Sequence, residues 1–234
     1  LRFANSSESA SSSVIQFVGN PTVSPATNNT VRNTIIQAVY ASPINYGVLV
    51  NGSETSATTG GADNDNISIL ENDINTVHFG IYVYGESGSV DNLLISKNNI
   101  GSTEEGKFVA FKGIVLRDCY APQIKDNIIR NVINPGAAIS GNMAGIDLTT
   151  GTINDAVVTG NIINTVRQPH SSGYGAWGIA VYTSTSSNAL IANNYISDLT
   201  TRNYASTTYY WHPIGILIYR SEEHTSELQS RQVI

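Results

Sequence analysis

Apolar positions along this chain recur in one short element, in which a glycine is followed by a β-branched residue, a variable residue and an aliphatic residue. Its copies, spaced by 33, 33, 32, 33 and 37 residues, begin at Gly47, Gly80, Gly113, Gly145, Gly178 and Gly215. Side chains alternate within a strand, so Ile81 and Val83 face one way while Tyr82 and Tyr84 face the other. The spacing predicts a repeat protein with one such strand in every coil.

A second element lies between the glycine strands: an aliphatic residue, Asn three positions later and Ile two positions after that. Its clearest copies are centred on Asn72, Asn98, Asn127, Asn161 and Asn194. A column of stacked Asn side chains can satisfy its amides by hydrogen bonding along the stack. We therefore expect this Asn column to stabilise the fold rather than to form a polar binding site.

Two columns that stay in register over the repeat predict an all-β chain, folded as a right-handed parallel β-helix. This is a single-stranded solenoid of about six coils of roughly 33 residues, in which equivalent positions stack about 4.8 Å apart. The inward columns are predicted to be Ile81, Ile114, Ile146, Ile179 and Ile216 on the glycine strands, and Ile69, Ile95, Ile124, Val158 and Ile191 on the second strand.

A leucine-rich repeat is the competing interpretation, because its repeat also places an Asn between aliphatic residues. The repeat here is longer, and Ile and Val take the place of Leu. The glycine strand would also have no counterpart in a leucine-rich repeat. These features favour the β-helix.

Composition supports a β fold, since Ile and Val outnumber Leu and only 13% of the residues are charged. The net charge of -6 and scattered basic residues argue against a nucleic-acid partner. No apolar run approaches the length of a membrane span. The lone cysteine, Cys119, excludes an internal disulfide and is expected to fill the core. The oligomeric state is left open.

The chain divides into three segments by sequence. Residues 1–30 are rich in Ser, Asn and Pro and form either a lead-in or a partial coil, and residues 31–219 carry the repeat. Residues 220–234, beginning RSEEHTSELQS, resemble the translation of a sequencing adapter and are expected to be non-biological. The sequence opens at Leu1 without a charged and then apolar segment, and we expect any signal peptide to have been removed or to lie outside this sequence.

The glycine strands and Asn turns resemble the repeats of the pectate-lyase-like superfamily of right-handed parallel β-helix proteins. These include secreted polysaccharide-degrading enzymes, phage tailspikes and bacterial surface proteins. The resemblance covers residues 31–219 and implies an extracellular or cell-surface location. It does not define an activity, because this fold carries many functions.

Candidate functional residues lie on the outward positions of the glycine strands and in the loops that precede them. Those predicted to contact a polysaccharide are Tyr82, Tyr84, Tyr174, Trp177, Tyr182, Trp211, His170 and His212. Asp147 and Arg117 lie diagonally on neighbouring coils, so they form either a surface ion pair or a catalytic pair. The aromatic residues either line a sugar-binding groove or cover a small apolar cluster of their own.

Three functions remain open from the sequence. The first is a β-helix that binds polysaccharide without chemistry, the second a polysaccharide lyase or glycoside hydrolase using Asp147 and Arg117, and the third a structural rod. Paired carboxylates of the kind that glycosidases need are not recognisable. Asp63 and Asp65 lie in a Gly-rich turn and could bind Ca²⁺, although such residues usually serve the turn alone.

Overall fold

The structure is a computed structural model that describes residues 1–7, 12–19, 24–38, 44–86, 90–133, 141–170, 174–183, 188–202, 208 and 211–220. Nearly all of the adapter-like segment, residues 221–234, therefore lies outside the described residues. The strands are β1 (Arg2–Asn5), β2 (Ser12–Val18), β3 (Thr30–Arg32), β4 (Ile35–Ala38), β5 (Asn45–Asn51), β6 (Ser68–Leu70), β7 (Asp73–Asn75), β8 (Val77–Tyr84), β9 (Leu94–Ser96), β10 (Asn99–Ile100), β11 (Val109–Arg117), β12 (Cys119–Tyr120), β13 (Gln123–Lys125), β14 (Ile128–Ile133), β15 (Met143–Leu148), β16 (Ile153–Asn154), β17 (Val157–Thr159), β18 (Ile162–Gln168), β19 (Ala176–Thr183), β20 (Leu190–Ala192), β21 (Tyr195–Thr201) and β22 (Pro213–Arg220). No helix among the described residues has the length and apolarity of a membrane span.

The strands stack in parallel and wind the chain into a β-solenoid of about five turns, with copies about 33 residues apart. The glycine face consists of β2, β5, β8, β11, β15, β19 and β22. A second ladder contains β1, β4, β7, β10, β14, β18 and β21, and a third contains β3, β6, β9, β13, β17 and β20. This architecture confirms the parallel solenoid predicted from the two repeated elements.

The core lies inside the coils and is formed by the predicted aliphatic columns. Ile81, Ile114, Ile146 and Ile179 have no exposed surface, and the same holds for Ile69, Ile95, Ile124 and Val158 on the third ladder. Each such side chain contributes about 1.5–3 kcal/mol by burial. Ile216 differs, because it lies on the last described glycine strand and is 44% exposed.

The Asn column forms a hydrogen-bonded stack at the corner between the third and second ladders. Asn98 Nδ2 donates to Asn127 Oδ1 at 2.9 Å and to the Ile69 carbonyl at 2.8 Å, and the Asn98 backbone N–H donates to the same Asn127 Oδ1. The pattern repeats from Asn127 to Asn161 and from Asn161 to Asn194. These bonds confirm the structural role predicted for the column.

Five of the six repeated glycines lie where neighbouring atoms leave no room for a side chain. A Cβ atom on Gly113 would lie 2.5 Å from the Gly145 carbonyl oxygen and 2.6 Å from Cγ2 of Ile129. The contact recurs around Gly80, where Ile100 takes the part of Ile129. The Ile of the second element thus packs into the space that the missing side chain leaves, and the two sequence columns are complementary.

Residues near the N-terminus belong to the solenoid. β1 pairs with β4, from Arg2 opposite Ile35 to Asn5 opposite Ala38. β2 pairs with β5 over Ser12–Val18. The described part of residues 1–30 therefore adds strands to both the second ladder and the glycine face.

Candidate functional site

The outward side chains of the glycine face form columns in the register that the sequence predicted. One column contains Tyr82, Val115, Asp147, Ala180 and Leu217. The column two residues further on contains the pairs Tyr84–Arg117 and Tyr182–Tyr219, and between them Thr149 follows the end of β15 and donates its backbone N–H to the Leu116 carbonyl. A third column, immediately before the glycines, contains Tyr46, Phe79, Lys112, Ala144, Trp177 and Ile214. These three columns contain the aromatic and charged side chains of this face.

On strands β5 and β8, a cluster of aromatic side chains covers the outward surface of the glycine face. The Tyr46 and Phe79 rings stack with centroids 5.1 Å apart and planes 6° apart. Ala57, from the loop after β5, packs into the same cluster, and Tyr82 packs against it. Burial raises the pKa of Tyr46 to about 12 and also raises the pKa of Tyr82. Tyr82, expected to contact a polysaccharide, thus lies half-buried at the edge of an apolar cluster.

In the later coils the same face opens into a cleft of about 420 Å³. Its walls come from strands β11, β15, β19 and β22 and from the segment before β15. Among the lining residues are Phe111, Lys112, Asn142, Asp147, Thr149, Trp177, Tyr182 and Tyr219. Three of the predicted site residues, Asp147, Trp177 and Tyr182, are therefore brought together here.

Asp147 lines this cleft and is only 2% exposed. Its Oδ2 atom accepts a hydrogen bond from Lys112 Nζ at 2.5 Å. Its Oδ1 atom is buried without a hydrogen-bond partner among the described residues. A buried polar atom without a partner is uncommon and requires an explanation. Because Asp147 lines the cleft, its carboxylate places one unpaired acceptor oxygen in the wall of the cleft.

Arg117 is not the ion-pair partner of Asp147, although the sequence suggested this pair. The guanidinium carbon of Arg117 lies 4.1 Å from the centroid of the Tyr84 ring, and Nε lies 3.6 Å from Asp118 Oδ2. Arg117 is the next outward residue after Val115 on β11, whereas Lys112 reaches Asp147 from the column before the glycines. Arg117 and Tyr84 thus form a separate cation–π pair outside the lining of the cleft.

Tyr182 and Tyr219 form the aromatic rim of the cleft. Their rings stack with centroids 4.9 Å apart and planes 4° apart. They remain 42% and 39% exposed, respectively. Trp177 is different, because it is 6% exposed and packs with Ala144 and Leu217. The rings available to a large ligand are therefore the two tyrosines, while Trp177 forms part of a packed wall.

The remaining loop residues lie outside the cleft lining. Tyr174 and Trp211, predicted to share a column, have ring centroids 6.3 Å apart with planes inclined by 51°. His170 follows β18, His212 precedes β22, and both are half-buried. These four residues thus belong to the loops beside the glycine face rather than to the walls around Asp147.

The candidate calcium site at Asp63 and Asp65 is built as a turn. Asp63 has a φ of 54°, and Asp65 Oδ1 accepts a hydrogen bond from the Asp91 backbone N–H at 2.8 Å. Burial, followed by the nearby Asp65 and Asp63 carboxylates, raises the pKa of Asp91. Within the described ranges, no group of three acidic, His or Cys side chains could hold a metal ion.

Lys112 is the candidate site residue that sequence reasoning missed. It directly precedes Gly113, at a position occupied in the other coils by Tyr46, Phe79, Ala144, Trp177 and Ile214. A single charged residue in an otherwise apolar outward column was the available signal. Its side chain is 16% exposed, and its ammonium lies 5.0 Å from the Phe111 ring centroid.

The chain was compared with models of protein families, with curated proteins and with solved structures. None of the three comparisons gave a significant match.

Proposed function

We propose that this β-solenoid binds a polysaccharide in the cleft above Asp147, outside the cell or at its surface. The observation that carries the proposal is the parallel Tyr182–Tyr219 pair, whose rings remain about two-fifths exposed at the rim. The flat C–H faces of sugar rings pack well on aromatic rings, which have an apolar body. The rings cover each other's inner faces, so their exposed edges and outer faces provide the apolar surface for a sugar unit at the rim.

The polar lining supports the same ligand class. Binding pockets usually combine apolar walls with a few polar groups that fix the orientation of the ligand. Here Phe111, Trp177 and the tyrosines form the walls, while Asp147, Asn142 and Thr149 supply hydrogen-bonding groups. Sugars carry many hydroxyl groups beside apolar faces, so they complement this mixture.

The shape of the solenoid also suits a polymer. Equivalent residues repeat about every 4.8 Å along the stack, which gives an extended surface beside the cleft. A chain of sugars that enters the cleft can continue along the outward columns toward Thr149 and Arg117. A polysaccharide is therefore a better match to this surface than a single monosaccharide.

The proposal can be tested by affinity electrophoresis of the full chain in gels that contain individual neutral or acidic polysaccharides. At least one polysaccharide should retard the protein, and Tyr182→Ala should weaken that retardation by about tenfold. Tyr195→Ala is the matched control, because Tyr195 is 63% exposed and lies on the second ladder. The proposal fails if no polysaccharide retards the protein, or if both variants behave alike; a structural rod would give either result.

An enzyme remains the second candidate, because a buried carboxylate beside a lysine is a feature of many catalytic sites. Hydrolysis of a glycosidic bond usually requires two carboxyl groups across the scissile bond. Among the described residues that line the cleft, Asp147 is the one acidic side chain. We therefore favour binding without cleavage, and chain-length analysis of the retained polysaccharide checks it: shortened products that disappear in Asp147→Asn would favour the enzyme.

A further inference from the structure

We propose that the cleft selects an uncharged polysaccharide, with a sugar hydroxyl donating a hydrogen bond to Asp147 Oδ1. This selectivity rests on the polysaccharide binding proposed above and defines which class of polymer the cleft accepts. The key observation is that one oxygen of a carboxylate that is 2% exposed has no partner among the described residues.

The chemistry of Asp147 limits what can bind there. A carboxylate accepts hydrogen bonds and donates none, so the group that meets Oδ1 must be a donor. A sugar hydroxyl is such a donor, whereas the carboxylate of a uronic acid is another acceptor. A buried polar atom gains from acquiring a partner, because leaving it unpaired is costly. A hydroxyl that reaches Oδ1 thus satisfies the atom that the protein leaves unpaired.

The charge balance of the cleft disfavours acidic sugars. Lys112 and Asp147 are the cation and the anion among the described lining residues, and their atoms lie 2.5 Å apart. Their charges largely offset each other, so no separate positive charge in this lining is available for a uronate. A second carboxylate in the cleft would therefore lie near the Asp147 carboxylate without a counter-charge of its own and be repelled.

The other polar groups match neutral hydroxyls. Asn142 Oδ1 accepts a hydrogen bond from the Gly175 backbone N–H at 2.6 Å, which leaves the amide nitrogen of Asn142 as a donor. Thr149 and Thr150 contribute hydroxyls that both donate and accept. An amide that donates hydrogen bonds and hydroxyls that both donate and accept them can together bind several hydroxyls of one uncharged sugar.

The decisive experiment uses polymers that differ only in their charge. Polygalacturonate, polyglucuronate and polymannuronate are each compared with their carboxyl-reduced products, in which –CH₂OH replaces the carboxylate on the same backbone. We expect the full chain to bind at least one reduced polymer at least tenfold more tightly than its acidic parent, measured by affinity electrophoresis or calorimetry at low salt.

The outcomes separate the two proposals. If an acidic parent binds as tightly as its reduced product, or more tightly, the selectivity is wrong while polysaccharide binding stands. If a wider panel of neutral and acidic polymers also shows no binding, both proposals are wrong. Because this comparison uses the unaltered protein, it does not depend on any variant folding.

Two variants test the origin of the selectivity. Asp147→Asn leaves Lys112 as the charge in the cleft, so the preference for the reduced polymer should fall at least tenfold. Lys112→Gln leaves the Asp147 carboxylate as the charged group in the cleft lining, so acidic polymers should still bind more weakly than their reduced products. Glu105→Gln is the control, since it removes an exposed carboxylate outside the cleft. An unchanged preference in a folded Asp147→Asn protein, checked by circular dichroism, would overturn the assigned role of Asp147.

Discussion

Lys112 Nζ lies 2.5 Å from Asp147 Oδ2, although the two residues are 35 positions apart and belong to neighbouring coils. Lys112 stands opposite Ala144 on β15, and Asp147 stands opposite Val115 on β11, so the side chains meet diagonally across the two strands. The pair is largely buried, with side chains 16% and 2% exposed. The pair brings one positive and one negative charge together in the candidate site, and it links adjacent coils.

Removal of one partner of this pair should destabilise the protein. Lys112→Met leaves Asp147 buried without its cation and should lower the free energy of unfolding by about 3–5 kcal/mol. The double variant Lys112→Met, Asp147→Leu should lose less than the sum of the single changes, because no unpaired charge remains. Urea unfolding measures all three proteins.

The exposed Arg32–Glu71 pair is the control, since Arg32 is 54% exposed. Arg32→Met should cost less than about 1 kcal/mol. An equal loss for Lys112→Met and Arg32→Met would contradict the buried ion pair.

The Asn stack predicts a second stability effect. Asn127→Ala removes the acceptor for the Asn98 backbone N–H and the donor to the Ile95 carbonyl, both in the buried corner. Leaving two such groups unpaired should cost on the order of 3 kcal/mol in the free energy of unfolding. Asn164→Ala is the control, because Asn164 makes an exposed bond to Ser197 and should change stability little. Similar losses for both variants would argue against the stack as a stabilising element.

The glycine column predicts a position-dependent effect of one added methyl group. Gly113→Ala places Cβ within 2.6 Å of Ile129 Cγ2 and closer still to the Gly145 carbonyl oxygen, so it should destabilise the protein by about 1–3 kcal/mol. Gly215→Ala, in the same column, meets no described atom within 4 Å and should be tolerated. Thermal unfolding of the two variants compares them directly, and equal melting temperatures would show that the close approach is unimportant.

Cys119 should be protected from thiol reagents in the folded protein. Its side chain is 1% exposed, and burial, followed by the neighbouring Asp118, raises the pKa of the thiol. Since the thiolate is the reactive form, alkylation at pH 8 should be at least about 100-fold slower in the native protein than in urea. Mass spectrometry of samples labelled with iodoacetamide provides the measurement, with the unfolded chain as control. Rapid labelling of the native protein would contradict the burial of this residue.

Asp198 predicts a pH dependence of stability. Hydrogen bonds from Arg167 and Thr165 lower the pKa of Asp198 in the folded state. The resulting stabilisation is present above the pKa of the unfolded chain and is lost as pH falls through the lower folded pKa. Asp198→Asn should therefore slightly lower the free energy of unfolding at pH 7. It should have no effect at a pH below the pKa of Asp198 in both the folded and the unfolded chain. Unfolding curves over this range test the sign, and a larger loss at acid pH would contradict it.

The sequence determined the solenoid and its interior because both arise from short-range repetition. A coil of about 33 residues places Ile81, Ile114 and Ile146 in one buried column, and the alternation of a strand then decides which neighbours face outward. The Asn stack was predictable for the same reason, since identical side chains at one corner can hydrogen bond to one another along the stack. Even the outward columns around Asp147 and Tyr182 could be aligned from the glycine spacing alone.

Only the tertiary structure decided which outward residues meet and which remain open. The sequence suggested Arg117 as the partner of Asp147, but Arg117 lies over the Tyr84 ring and beside Asp118, and the partner is Lys112. Tyr82 and Tyr182 occupy related outward positions, yet Tyr82 packs against a cluster closed by Ala57 and Tyr182 stays exposed. Repetition fixes the backbone register, whereas side-chain reach and the path of each loop, which differ from coil to coil, create the cleft.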